Sequence, residues 1–159
     1  MVAVVQSSAV FGVDAYLVQI EADIANGLPA LNIVGLPDGA VRESRDRVTA
    51  ALRNSGFAVP PKKITVNLAP ADVRKEGTAF DLGVALAILG GSEQIPSGAG
   101  QKTLVLGELS LDGSLRPVRG AVAIAADAKA HGITSLLVPK QNAEEAAVIE
   151  GIDVYGAAT

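Results

Sequence analysis

The sequence predicts a mixed α/β or α+β domain, with strands first and helices alternating with strands later. Two observations lead to this fold class. The apolar residues are chiefly Val, Ile, Leu and Ala, with 3 Phe, 2 Tyr and no Trp, and alanine-rich stretches follow β-branched ones; such a composition is typical of strands covered by closely packed helices. The chain of 159 residues also suffices for one domain with a substantial core.

The first 35 residues are predicted to be extended. Residues 2–5 and 9–11 are apolar and flank a polar step, and residues 15–22 alternate as in a half-buried strand. Residues 12–14 form a plausible hairpin turn between them. A turn at Asn26-Gly27 then precedes a strand over residues 31–34.

A helix is predicted from about Asp38 to Asn54. Residues 35–39 break the preceding strand, and Asp38 is a candidate N-cap because its side chain can accept from a first-turn amide. Gly56 stands where a left-handed C-cap belongs. One apolar stripe of this helix contains Val41, Val48 and Leu52.

The second half of the chain alternates between the two kinds of element. The expected strands cover residues 63–68, 103–109, 113–118, 135–138 and 152–155, and Asp112-Gly113 is the turn of a hairpin between the second and the third. The expected helices cover residues 80–89, 119–130 and a segment from the cap Asn142 to about Glu150. Residues 69–79 are predicted to be an ordered loop, and residues 97–100 a mobile surface loop.

The composition excludes several kinds of site. There are no cysteines and one histidine, so a thiolate or imidazole metal centre is not expected. No glycine cluster is followed by Lys-Ser or Lys-Thr, which a P-loop requires, and no dinucleotide fingerprint is present. The chain carries no leader and no run of about 18 apolar residues, so we expect a cytoplasmic protein without a membrane partner.

The remaining catalytic candidates have structural explanations. His131 stands at the end of a predicted helix, where an imidazolium interacts favourably with the helix dipole. Glu144 and Glu145 lie in the first turn of another helix, which also favours negative charge. Neither group is expected to be catalytic.

Five ordered segments carry a resemblance to a known family. They read NGLPALNIVGLP at 26–37, VRESRDRV at 41–48, ITVNLAPAD at 64–72, KEG with FDL at 75–82, and LGELSLDG with LRPVRG at 106–120. Together they resemble the N-terminal domain of the ComM/YifB family of magnesium-chelatase-like AAA+ ATPases, over nearly the whole chain.

The resemblance implies a ribosomal protein S5 domain 2-like fold, similar to the Lon protease proteolytic domain. It implies that residues 1–159 are one Lon-like N-terminal domain and that an AAA+ ATPase module, which would bind ATP and magnesium, lies downstream. Family members are hexameric motors implicated in branch migration during natural transformation. The implied partners are the AAA+ module and neighbouring ring subunits; no cofactor or metal is expected in this chain.

A Lon-like fold raises the hypothesis of a Ser/Lys peptidase. In Lon, a serine is the nucleophile and a lysine from the next helix accepts its proton. The resemblance places Asp81 in the serine position and Val122 in the lysine position. A carboxylate is a poor replacement for a serine nucleophile, and valine cannot accept a proton. We expect Asp81 to be a helix N-cap, with a substrate or interface role as the alternative. Glu108 is expected to pair with Arg116 or Arg119 across the hairpin, since an unpaired buried charge is costly.

The charge is unevenly distributed in this acidic chain of net charge −4. Residues 40–75 contain eight basic residues against three acids. The predicted i,i+4 pairs Arg42–Asp46 and Glu43–Arg47 would be typical of a solvated helix face. The candidates for contact with DNA or another subunit are Arg42, Arg45, Arg53, Lys62, Lys63, Arg74 and Lys75.

The sequence thus predicts a non-catalytic accessory domain of a DNA-processing AAA+ motor, serving ring assembly or non-specific DNA contact. Without aromatic or amide partners, the basic side chains would contact phosphates rather than read bases. The alternatives are a Lon-type peptidase and a scaffold that does not touch nucleic acid.

Overall fold

The computed structural model describes residues 2–11, 14–96 and 102–159, with only the backbone of Phe11. The surface loop predicted over residues 97–100 lies outside this part of the chain, as do Gly12 and Val13 of the predicted turn. The strands are β1 (Val2–Phe11), β2 (Asp14–Ala25), β3 (Ala30–Val34), β4 (Lys63–Ala69), β5 (Thr103–Val105), β6 (Glu108–Leu109), β7 (Leu115–Arg116), β8 (Ser135–Pro139) and β9 (Asp153–Ala157). The helices are α1 (Gly39–Arg42), α2 (Ser44–Asn54), α3 (Asp81–Gly91), α4 (Ala121–Ala130) and α5 (Ala143–Ala146), with a 3-10 turn over Lys140–Asn142.

The fold is mixed α/β around a seven-stranded sheet of order β3-β4-β2-β1-β5-β8-β9. β2 runs antiparallel to both of its neighbours, whereas β3–β4, β1–β5, β5–β8 and β8–β9 are parallel pairs. Six of these strands therefore share one direction. Their amino ends lie along one edge of the sheet, and their carboxyl ends lie along the other. β6 and β7 form a separate two-stranded hairpin.

Helices cover the middle of the sheet on both faces. Successive side chains of β2 point to opposite faces, so this strand contributes to the core on each side. Val18 and Ile20 belong to the core beneath α2 and α3. Leu17 packs on the opposite side, against the core beneath α4 and α5. The period of two in a strand thus divides the aliphatic residues between two cores.

The start and end signals of the first predicted helix are confirmed. Asp38 accepts a hydrogen bond from the Val41 amide at 2.8 Å, and Gly56 has φ of 86°. The helix is divided at Glu43 into α1 and α2. The apolar stripe in the sequence did not indicate this division. Of the two predicted i,i+4 ion pairs, Glu43–Arg47 forms at 3.6 Å, and Arg42–Asp46 is not among the ion pairs of the described residues.

Three predicted element boundaries are wrong. Residues 2–11 form one strand rather than two, since β1 pairs with β2 without a break. Residues 103–109 do not form one hairpin strand: β5 belongs to the central sheet, and only β6 pairs with β7. The chain leaves the sheet at Gly107, whose amide donates to the Ala79 carbonyl at 3.0 Å instead of continuing the ladder.

The third error concerns the segment after β8. The side chain of Asn142 does not cap α5; it accepts from the Val118 amide at 2.8 Å and donates to the Val118 carbonyl at 2.9 Å. The helix also ends at Ala146 rather than near Glu150.

Within the described ranges, no helix combines the length and the apolar character needed to cross a membrane.

Candidate functional site

The main candidate site is a cleft at the carboxyl ends of the parallel strands. It occupies about 1110 Å³. Residues that end β1 or follow β3, β4, β5 and β7 build it, so it lies where ligands bind in open α/β sheets. Its lining residues are Ala9, Val10, Asp38, Ala40, Glu76, Gly77, Thr78, Ala79, Glu108, Pro117, Val118, Arg119, Gly120, Val122 and Ala123.

The cleft carries an excess of negative charge. Three of its lining residues are acids (Asp38, Glu76 and Glu108), and Arg119 is the one base among them. This negative charge affects the pKa of the neighbouring Tyr16. Burial raises the pKa of Tyr16, and the charges of Glu76 and Asp38 act in the same direction, against a lowering hydrogen bond at the Glu76 backbone. The site is therefore unsuited to phosphate groups.

A buried ion pair supports one wall of the cleft. The guanidinium of Arg47 donates to Asp81 through Nε at 2.6 Å and through Nη2 at 3.0 Å. Nη2 also donates to the carbonyl of Ala40, a lining residue, at 2.8 Å. Asp81 further accepts from the Leu109 amide, next to Glu108, at 3.0 Å. One pair thus connects α2, α3 and the β6–β7 hairpin.

The predicted N-cap role of Asp81 is wrong. Asp81 is the first residue of α3, its side chain is 1% exposed, and its carboxylate accepts from Arg47 and Leu109 instead of from a helix amide. The hydrogen bond to Asp81 raises the pKa of Arg47. Burial raises the pKa of Asp81, and the Arg47 and Leu109 hydrogen bonds oppose that effect.

The predicted pairing of Glu108 is also wrong. Glu108 lies opposite Arg116 in the hairpin register, but its carboxylate accepts from the Thr78 hydroxyl at 2.9 Å. Arg116 donates to Ser110 at 2.6 Å, and Arg119 extends into the cleft lining. Glu108 is only partly buried, so its carboxylate remains partly solvated and does not require an oppositely charged partner.

The two Lon-like positions do not face one site. Val122 is 38% exposed and lines the cleft, as do Thr78 and Ala79. Asp81 is buried against Arg47 and is not among the lining residues. The described residues of the lining include no histidine, lysine or serine. Among them, the hydroxyl of Thr78 has the carboxylate of Glu108 as its hydrogen-bond partner and no strong base.

One basic candidate cannot contact DNA. Lys75 is fully buried, and its ammonium donates to the Pro70 carbonyl. Burial lowers the pKa of Lys75, and the charge of Asp72 opposes this. Its backbone joins the loop after β3, because its amide donates to Leu36 and its carbonyl accepts from Asp38, both at 2.9 Å. Lys75 is therefore a structural residue, contrary to its place in the predicted basic surface.

The other basic candidates are exposed but do not form one patch. Arg42 and Arg45 lie at the start of the α1–α2 segment, and Arg74 lies beside Glu76 at 3.5 Å, so all three are near the carboxyl edge of the sheet. Arg53 lies in the last turn of α2, Lys63 begins β4 at the amino edge, and Lys62 lies just before it. The two groups are separated by α2, whose 11 residues span about 16 Å.

Two further predictions concern groups outside the cleft. His131 follows α4, as predicted, and its Nδ1 lies 2.8 Å from the Asp127 carbonyl. Glu144 and Glu145 lie in the first turn of α5, as expected. Across residues 2–11, 14–96 and 102–159, no cluster of three or more potential ligand side chains could hold a metal ion.

Arg47 is the residue that sequence reasoning missed as part of the site. Its partner Asp81 is 34 residues away, and no helical or strand spacing relates them. The nearer acid, Glu43, had an obvious i,i+4 relation and contributes only the longer contact.

Comparison with known proteins places the chain in a family. The family described as subunit ChlI of Mg-chelatase matches residues 20–142. YifB of Escherichia coli (strain K12) is 45% identical over 148 residues, which are 93% of this chain and 29% of YifB. Competence protein ComM of Haemophilus influenzae is 45% identical over 158 residues, which are 99% of this chain and 31% of ComM.

A protein of Mycobacterium tuberculosis (strain H37Rv) is 46% identical over 153 residues, covering 96% of this chain and 30% of that protein. The chain thus spans about a third or less of the relatives that it matches. The resemblance found in the five sequence segments is confirmed. The chain belongs to the magnesium-chelatase-like family that includes ChlI, YifB and ComM.

Proposed function

We propose that this chain is a non-catalytic accessory domain of a magnesium-chelatase-like AAA+ ATPase that processes DNA. The observation that carries the proposal is the coverage of the match. Nearly the whole chain aligns with about 30% of each relative, one of which is named a competence protein. The ATPase machinery, with its ATP and magnesium, would belong to a downstream module of a hexameric ring.

The finer fold assignment is part of the same proposal. We assign residues 1–159 to a single domain of the ribosomal protein S5 domain 2-like kind, similar to the Lon proteolytic domain. The mixed sheet, with one antiparallel strand among parallel ones, supports this assignment.

The first prediction concerns peptidase activity. The wild-type chain should not cleave a fluorogenic peptide, because Thr78 has no lysine or histidine to take its proton in the cleft. The assay should include a covalent serine/threonine-directed probe and mass spectrometry of the protein. Turnover above that of heat-denatured protein, or an acyl adduct on Thr78, would show that the domain is an enzyme.

DNA contact is expected at the amino edge of the sheet. Lys63 begins β4 there and Lys62 lies just before it. Arg53 lies in the last turn of the helix that precedes them, and Lys102 lies just before β5. All four side chains belong to exposed residues. The opposite edge holds the acidic cleft, so Arg42 and Arg45 lie in a less favourable field for phosphates.

The second prediction distinguishes the contributions of the two basic groups to DNA binding. Replacing Lys62 and Lys63 by alanine should weaken binding of a fluorescent DNA about tenfold at about 50 mM salt and lower the salt slope by about two. The matched pair of replacements at Arg42 and Arg45 removes the same charge and should change affinity less than about twofold. Fluorescence anisotropy with single- and double-stranded DNA of equal length measures both effects.

Two outcomes would redirect this proposal. Equal losses in the two variant pairs would mean that the DNA contact is not confined to the amino edge. Absence of binding by the wild type at about 50 mM salt would exclude DNA contact by this domain and leave subunit contact as its role. That role is then tested in the full-length protein, by mass photometry of ring assembly in the same two variant pairs.

A further inference from the structure

We infer that the cleft at the carboxyl edge is a binding site for a polypeptide segment that carries lysine or arginine side chains. This inference is independent of the proposed DNA contact, which uses the opposite edge of the sheet. It rests on the position, size, lining and charge of the cleft.

Position and size favour an extended ligand. The cleft lies outside the carboxyl ends of β1, β3, β4 and β5, where the loops of an open α/β sheet diverge and leave a crevice. Its volume of about 1110 Å³ is at or above the usual upper range of about 1,000 Å³ for small-molecule sites. A segment of several residues fits this space better than a single small molecule does.

The lining suits long cationic side chains. Val10, Pro117, Val118 and Val122 supply apolar surface for aliphatic stems, and the acids Asp38, Glu76 and Glu108 line the same cleft. Lysine and arginine pack their methylene groups on apolar walls and direct the charged head towards acids or water. A phosphate-containing ligand would instead be repelled by the excess of negative charge.

The three carboxylates keep the capacity to accept further hydrogen bonds. Asp38 accepts from the Val41 amide through one oxygen, and Glu108 accepts from Thr78 through one oxygen. Glu76 contacts Arg74 at 3.5 Å in a pair whose two side chains are 71% and 47% exposed. An ionised carboxylate offers about four acceptor sites, so each acid can still receive an ammonium or guanidinium donor.

The walls are held in place before a ligand arrives. Arg47 donates to the Ala40 carbonyl, and Asp81 accepts from the amide of Leu109, which follows Glu108. Two sides of the cleft are thus tied to one buried ion pair. A preformed site loses less conformational freedom on binding than a flexible one does.

The test uses three fluorescein-labelled peptides of equal length: one with alternating glycine and lysine, one with glycine and glutamate, and one with glycine and serine. The cleft variant combines Asp38→Asn, Glu76→Gln and Glu108→Gln, which remove three charges and keep the hydrogen-bonding capacity, including the cap of α1. The control variant combines Glu93→Gln, Glu144→Gln and Asp153→Asn, three exposed acids outside the cleft. Circular dichroism establishes that both variants are folded.

The lysine peptide should bind the wild type and the control variant alike, and the cleft variant about tenfold more weakly. Val122→Lys, which adds a cation to the exposed wall, should produce a similar loss. Amide NMR shifts on peptide addition should concentrate at the lining residues. Equal losses in the two triple variants, equal affinity for the glutamate peptide, or no binding of the lysine peptide at about 25 mM salt would each overturn the inference.

Discussion

Replacing Gly35 by alanine should lower the free energy of unfolding by at least about 3 kcal/mol or prevent folding. Gly35 follows the edge strand β3 with φ of +102°, a conformation that other residues rarely adopt. A Cβ atom there would lie 2.2 Å from the carbonyl oxygen of Leu68. That oxygen belongs to the next-to-last residue of β4, which lies between β3 and β2, so it cannot move without disturbing the sheet. Urea denaturation followed by circular dichroism measures the loss.

Alanine substitutions at two other glycines distinguish the cost of the steric clash from the cost of the positive φ. Gly132→Ala places a side chain at φ of +80° with nothing within 4 Å, so it should cost only about 1–2 kcal/mol. Gly39→Ala, at the first position of α1 with open space around it, should be neutral or stabilising by a few tenths of a kcal/mol. If Gly35→Ala costs no more than Gly132→Ala, the close approach of residue 35 to β4 is incorrect.

The second large effect is expected from Asp81→Ala, at about 3–5 kcal/mol. The substitution removes the acceptor for Nε and Nη2 of Arg47 and for the Leu109 amide, at 2.6, 3.0 and 3.0 Å. The Arg47 side chain is only 17% exposed, so its charge would remain largely buried without a partner. Thermal and urea unfolding should both report the loss.

A double-mutant cycle tests whether the pair itself is responsible. Replacing Asp81 by leucine and Arg47 by methionine together should cost clearly less than the sum of the two single changes, because no charge is then left unpaired. Arg74→Ala removes the exposed pair with Glu76 and should cost no more than about 1 kcal/mol. Additive single effects at Asp81 and Arg47, or a loss below about 1 kcal/mol for Asp81→Ala, would contradict the structural role.

The two proposed contacts use opposite edges of the sheet, although neither edge carries charge of one sign only. Exposed lysines and an arginine lie at the amino edge of the sheet, and three acids line the cleft at the carboxyl edge. On these proposals, one end of the domain contacts nucleic acid and the other contacts a basic polypeptide. The two contacts can therefore be removed by separate sets of substitutions.

The sequence by itself determined the local elements and the family. Asp38, Gly56 and the His131-Gly132 end of α4 act within a few residues of their own positions, so their roles followed from spacing and residue type. Alternation along β2 likewise indicated its strand. The ordered motifs over residues 26–120 identified the magnesium-chelatase-like family because they are long and specific.

Only the tertiary structure decided which distant residues meet. Asp81 pairs with Arg47 across 34 positions, Lys75 is buried although it lies in a charged segment, and the basic residues of one stretch separate to opposite edges. Local patterns could not reveal this because they report only neighbours along a helix or strand. The sheet topology, with six strands in one direction, sets which loops share an edge and so where the acids of the cleft converge.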